Sequence, residues 1–165
     1  MNFYDKVKEI CEKNNKVALF VDMDGTIVEY EVLGDNYYKN EIKGVFLNAQ
    51  PLKIVISTLY NLSKIENLDI YILSLSRSIM ITEEKKQWLK NNAPFINEEN
   101  YIIICRETGE YNSENRDYIK SSKMKERLKE YDYVVLLDDD HKILKQTQND
   151  LKDKGYVFHL SSAVI

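Results

Sequence analysis

Val17-Ala18-Leu19-Phe20-Val21-Asp22-Met23-Asp24-Gly25-Thr26 decides the fold. Five consecutive apolar residues suit a strand buried on both faces, as central strands of parallel sheets are. The run stops abruptly at two aspartates separated by one residue. A glycine follows, which permits a tight turn. The same rhythm recurs four times: Asp69-Ile70-Tyr71-Ile72-Leu73 ends at Ser74, and Tyr101-Ile102-Ile103-Ile104-Cys105 at Arg106. Tyr133-Val134-Val135-Leu136-Leu137 ends at Asp138-Asp139-Asp140, and Tyr156-Val157-Phe158-His159-Leu160 at Ser161. Helix-like stretches lie between these runs, near 51–66, 81–92, 121–131 and 141–153, and another opens the chain from Phe3 to Asn14. Strands alternating with helices predict an α/β, Rossmann-like three-layer fold around a five-stranded parallel sheet.

Composition sets the outer limits. The chain has 165 residues, enough for one domain with a real core, so a single domain over 1–165 is expected. Hydrophobic residues make up 44% and charged ones 30%, as in soluble globular proteins. No apolar run approaches the roughly 20 residues of a membrane-spanning helix. The mixed start Met1-Asn2-Phe3-Tyr4-Asp5-Lys6 is unlike a signal peptide, so the expected location is cytoplasmic, with no membrane partner. A net charge of −4 argues against general nucleic-acid binding. Cys11 and Cys105 have no paired motif and are expected to be reduced and structural. His141 and His159 lack the companions a zinc site needs.

A parallel sheet brings the strand ends to one edge, where open α/β sheets place their sites. That edge collects Asp22, Asp24, Ser74, Asp138 and Asp139, with a lysine before the fourth strand. The set suits phosphoryl transfer. Hard carboxylate oxygens from Asp22 and Asp138, with a backbone carbonyl nearby, would hold Mg²⁺; Asp24 is counted among the metal-site residues, with Asp139 as a further or outer ligand. Asp22 would attack phosphorus to give an acyl phosphate. Asp24 would give a proton to the leaving oxygen and later take one from water. Ser74, a lysine and the backbone of Met23, Asp24 and Gly25 would hold the phosphate oxygens. Ser76 is an alternative to Ser74. Asp140, and Asp139 beside it, also suit a plain helix start.

Phe20-Val21-Asp22-Met23-Asp24-Gly25-Thr26 resembles motif I of the haloacid dehalogenase-like (HAD) hydrolase superfamily. Ser74 after Tyr71-Ile72-Leu73 is similar to motif II, and Leu136-Leu137-Asp138-Asp139 to motif IV. Lys123 is taken as the motif III lysine, with Lys120 in reserve. Lys43-Gly44-Val45-Phe46-Leu47 before Pro51 is similar to the 5'(3')-deoxyribonucleotidase (C-type 5'-nucleotidase) branch. So is Glu84-Lys85-Lys86-Gln87-Trp88-Leu89, with its Lys-x-x-Trp pattern. The resemblance implies a Mg²⁺-dependent phosphomonoesterase acting on a small phosphorylated substrate such as a nucleoside monophosphate. The helical cap of that branch has no room here. A minimal flap at about 29–50 and a polar insertion at about 106–119 are expected instead. A non-catalytic phosphate- or metal-binding module working with a partner is the alternative. A phospho-accepting receiver domain is disfavoured, because there the acidic pair lies on the first strand and the acceptor later.

Overall fold

A computed structural model describes residues 1–29 and 42–164. Five strands, β1 (Val17–Val21), β2 (Leu68–Ser76), β3 (Tyr101–Cys105), β4 (Tyr133–Asp138) and β5 (Gly155–His159), form one sheet in the order β3-β2-β1-β4-β5. Every pairing is parallel. The α/β, Rossmann-like architecture expected from the alternating runs is the one observed. Among the described residues, five α-helices, α1 (Phe3–Lys13), α2 (Lys53–Leu62), α3 (Ile79–Asn92), α4 (Ile119–Arg127) and α5 (His141–Leu151), cover the two faces.

The pleat sorts side chains between the layers, because successive residues of a strand point to opposite faces. Val17, Leu19 and Val21 pack with Phe3 and Val7 of α1, Val55 and Leu59 of α2, and Trp88 of α3. Ala18 and Phe20 pack with Met124 of α4 and Ile143 of α5. β1 is buried along its whole length, which explains its unbroken apolar run. The chain builds outward from β1 through β2 to β3, then returns to β4 on the other side of β1. The switch point therefore lies between β1 and β4, where such sheets open a crevice at the carboxyl ends of their strands.

Residues 30–41, the middle of the expected flap, lie outside the described residues. Its base is tied down: Glu29 N–H donates to Gln50 O (2.8 Å) and Leu52 N–H to Ile27 O (2.8 Å). The expected polar insertion folds as a run of turns. Asn112 Oδ1 accepts from the amides of Glu114 and Asn115, and Asn115 Oδ1 from that of Asn112. Cys11 and Cys105 are both buried and unpaired. No helix among the described residues is long and apolar enough to cross a membrane.

Candidate active site

Asp22 follows β1 and Asp138 ends β4, the two strands flanking the switch point. Both carry on the phase of Phe20 and Leu136, so both side chains face the α4–α5 layer. Lys120, in the first turn of α4, meets them there. Its Nζ donates to Asp22 Oδ1 (2.8 Å) and Asp138 Oδ2 (2.7 Å). Lys120 and Asp138 are each only 1% exposed. Thr26 Oγ1 donates to the other Asp22 oxygen (3.1 Å), and the amide of Asp140 donates to the other Asp138 oxygen (3.0 Å).

Lys123, the expected lysine, is not the one placed here. A helix that follows a strand in a right-handed crossover runs away from the carboxyl edge, at 1.5 Å per residue. Lys120 sits at that edge, and Lys123 lies almost a turn further down α4. The reserve choice, Lys120, takes the position.

Ser74 also falls elsewhere. β2 runs two residues past it, to Ser76, and the pleat turns both serines toward the α1–α3 layer, opposite Asp22. Ser74 is fully buried, and its Oγ accepts from Lys85 of α3 (2.8 Å). Ser76 lines the cleft, but its hydroxyl donates to Ser78 O (3.0 Å) and accepts from Thr82 Oγ1 (2.8 Å).

After β1 the chain folds over the strand ends. Gly25 takes φ +75°, and the Met23 carbonyl accepts from the amides of Thr26, Ile27 and Val28. The turn carries Asp24 across to the α3 side, where Lys85 Nζ donates to its Oδ2 (2.8 Å). Of the three backbone amides expected to cradle phosphate, that of Gly25 is spent on Val28 O (2.9 Å). Gly25 thus serves the turn. Met23 places its side chain in the core.

Among the described residues, Asp22, Asp138 and Asp139 each offer a carboxylate oxygen within 4.8 Å of the others. Asp22 and Asp138 are the two expected carboxylate ligands, and Asp139 joins them; the side chain of Asp24, counted among the metal-site residues from the sequence, stands apart from this group. Burial, then repulsion from Asp138, raises the Asp22 carboxyl above its ordinary range, against the pull of Lys120. Burial and the neighbouring Asp22 push Asp139 up to about 8. Burial alone would lower the Lys120 ammonium, but the two carboxylates outweigh it and hold it raised. Three carboxyls crowd around one ammonium, an excess of negative charge consistent with the upward displacement of Asp22 and Asp139. A hard divalent cation such as Mg²⁺ fits this donor set.

The cleft over these groups has a volume of about 360 Å³. Asp22, Asp138 and Asp139 form its floor, with Asp24 and Lys85 on one side and Tyr111 and Arg116 on the other. The last two come from the polar insertion. Arg116 pairs with Asp140 (3.1 Å), whose other oxygen caps α5 by accepting from the amides of Lys142 and Ile143. Asp140 is thus the helix start anticipated for it. Phe46, at the flap base, is buried against Trp88 with ring centroids 6.4 Å apart.

The overall arrangement of sheet and helices has solved counterparts. The HAD domain of the effector protein Lem4 from Legionella pneumophila is 17% identical, with a TM-score of 0.50, over 88% of this chain and 87% of that one. The fold is that of a HAD domain. A protein described as a haloacid dehalogenase-like hydrolase, from Burkholderia xenovorans LB400, shares the HAD fold at 12% identity and a TM-score of 0.50, over 87% of this chain and 81% of that one. A chain in the Pnkp1/Rnl/Hen1 complex matches 87% of this chain at 18% identity and a TM-score of 0.59. The present chain spans only 46% of that chain's length. No protein-family model matches the sequence, and no curated protein does. At these identities the likeness is one of HAD fold. The narrower resemblance to deoxyribonucleotidases has no counterpart among these three structures.

Sequence reasoning passed over one group in this site. Lys85 is 1% exposed and makes three hydrogen bonds beneath the cleft. It had been noticed only as part of a Lys-x-x-Trp pattern. The usable signal was positional: Ile81, Lys85, Trp88 and Leu89 share the buried stripe of α3, at i, i+4, i+7 and i+8. A lysine on an apolar stripe needs a buried partner.

Proposed function

We propose that the protein is a Mg²⁺-dependent phosphomonoesterase acting through a phospho-aspartate on Asp22. One observation carries the reading. Asp22 and Asp138, 116 residues apart in sequence, share the Lys120 ammonium on the floor of a cleft that also holds Asp24. Asp22, Asp138 and Asp139 would hold the metal ion, which when bound supplies positive charge against the phosphoryl oxygens.

The chain's own groups do the rest. An Asp22 oxygen bonds to phosphorus as the ester P–O bond breaks, and Asp24 gives its proton to the departing oxygen. Lys120 uses two of its three N–H donors on Asp22 and Asp138, and the third is left for a phosphoryl oxygen. It keeps Asp22 aimed and offsets charge as the bond forms. Water then attacks the phospho-aspartate and gives a proton to Asp24. Inorganic phosphate leaves, and Asp22 is again a carboxylate.

The substrate is a small phosphomonoester. A cleft of about 360 Å³ falls at the lower end of small-molecule sites, which suits a nucleoside monophosphate. Arg77 and Arg116 at its walls suit anionic groups beyond the transferred phosphoryl.

The test is hydrolysis of p-nitrophenyl phosphate, nucleoside monophosphates, sugar phosphates and phosphorylated polynucleotide ends, with Mg²⁺ and with chelator. Turnover is expected with the metal alone and is expected to vanish in Asp22→Asn, together with a hydroxylamine-labile phosphoprotein. Full turnover by Asp22→Asn would refute the reading. Phosphate or metal binding without turnover of any ester would assign the chain to the non-catalytic class.

A further inference from the structure

We propose that Lys85 is the positioning residue for Asp24, holding from α3 the carboxyl that protonates the leaving group. This rests on the reading of Asp24 as general acid.

An ammonium has three N–H donors, and all three of Lys85 are spent: on Asp24 Oδ2 (2.8 Å), Ser74 Oγ (2.8 Å) and the Leu75 carbonyl (2.7 Å). Lys85 therefore has no donor left for a phosphate and is not a second phosphate clamp. Two of its three contacts are to strand β2, and the third reaches Asp24 in the turn that follows β1. Asp24 keeps about a third of its side chain open to the cleft. One of its oxygens is thus anchored to the sheet through Lys85, and the other remains for the substrate.

Packing alone does not call for a charge here. Ile81, Trp88 and Leu89 on the same stripe are apolar, and burying an ammonium costs several kcal/mol unless it is paired. A methionine would fill the space without that cost. The neighbouring residues fix the helix against the cleft. Glu84 Oε1 accepts from Gly44 N–H (2.6 Å), Trp88 Nε1 donates to Ala49 O (2.9 Å), and the Phe46 ring lies 5.4 Å from Lys85 Nζ. The same turn and a half of α3 thus grips both the flap base and the acid.

A positioning role for the acid has a consequence that a merely structural role lacks. Nitrophenolate departs without a proton, whereas an alkoxide needs one. In the full-length, Mg²⁺-loaded protein, kcat/KM is measured on p-nitrophenyl phosphate and on glycerol 2-phosphate for Lys85→Met, Lys85→Arg, Asp24→Asn and Lys85→Met/Asp24→Asn. Lys85→Met is expected to lose about 10²-fold on the alkyl ester and under about tenfold on the nitrophenyl ester. Asp24→Asn should show the same selectivity, and the double variant should be no worse than Asp24→Asn. Lys85→Arg keeps the charge but not the three-point geometry and should fall between, which preserves the test if the methionine variant does not fold. Equal losses on the two esters for the Lys85 variants, with Asp24→Asn selective, would overturn the proposal. Equal losses for Asp24→Asn itself would remove the acid assignment beneath it, and the proposal with it.

Discussion

Replacing Lys120 by methionine keeps the side-chain volume and removes the one cation between Asp22 and Asp138. Both carboxylates are buried, and each loses its only ammonium partner among the described residues. Breaking a buried ion pair by removing one partner costs about 3–5 kcal/mol. Part of this is recovered, because a carboxyl facing another can retain a proton. A net loss of about 3 kcal/mol at pH 7 follows. For a domain of this size each kcal/mol moves Tm by about 2–4 °C, so Tm should fall by roughly 6–12 °C. The loss should shrink as pH falls toward 5, where protonation relieves the bare carboxyls. Lys123→Met is the matched control. Lys123 has no ion pair among the described residues, and surface changes of that kind stay within about 0.5 kcal/mol. Thermal and urea melts in the presence of EDTA measure both variants. If Lys120→Met melts within about 2 °C of Lys123→Met at pH 7, the buried bridge does not hold the strand ends together, and the account of the site fails with it.

Asp139 titrates at about 8 in the fold against an ordinary 3.8, so the folded chain keeps a proton that the unfolded chain loses between those values. That stability is present below about pH 4 and is lost as pH rises toward 8. The ceiling is roughly 6 kcal/mol, and about half of it is expected, since the group is partly open to solvent. If Mg²⁺ binds as proposed, saturating Mg²⁺ would take the proton's place and flatten the slope; urea melts across pH with equal slopes in Mg²⁺ and EDTA would contradict the metal assignment. Gly155→Ala should cost about 1–3 kcal/mol by urea denaturation, because an added Cβ meets Leu151 Cδ1 at 2.6 Å and the Val134 carbonyl at 2.7 Å. The leucine can swing aside, but the strand carbonyl cannot, and a variant as stable as the parent would show that β5 is held more loosely than described.

The strands were legible because their pattern is local and extreme. Each expected run falls on an observed strand to within a residue or so, except β2, which continues through Ser74-Leu75-Ser76. Polar serines in a buried strand look like an ending when read along the chain. Asp22 and Asp138 were legible because strand ends converge in any parallel sheet. The lysine was not, because the polar stretch before α4 leaves the start of that helix uncertain by a turn, and a turn decides which residue reaches the edge. Placing Ser74 beside Asp22 neglected the pleat. Which face a residue takes depends on strand register, and register is a property of pairs of strands. Lys85 was visible on its stripe, but its partner Asp24 lies 61 residues away, across a turn that no spacing rule predicts.

Asp22 and Asp24 stand two positions apart in the chain yet are fastened to opposite layers of the molecule, one through α4 and the other through α3. Neighbours that close would ordinarily move together. Here a change in one helical layer can retune one aspartate while its neighbour stays where it was. In the proposed reaction, the group that would capture phosphorus and the group that would release the alcohol are therefore separately adjustable, and a change in a single helix would alter one without the other.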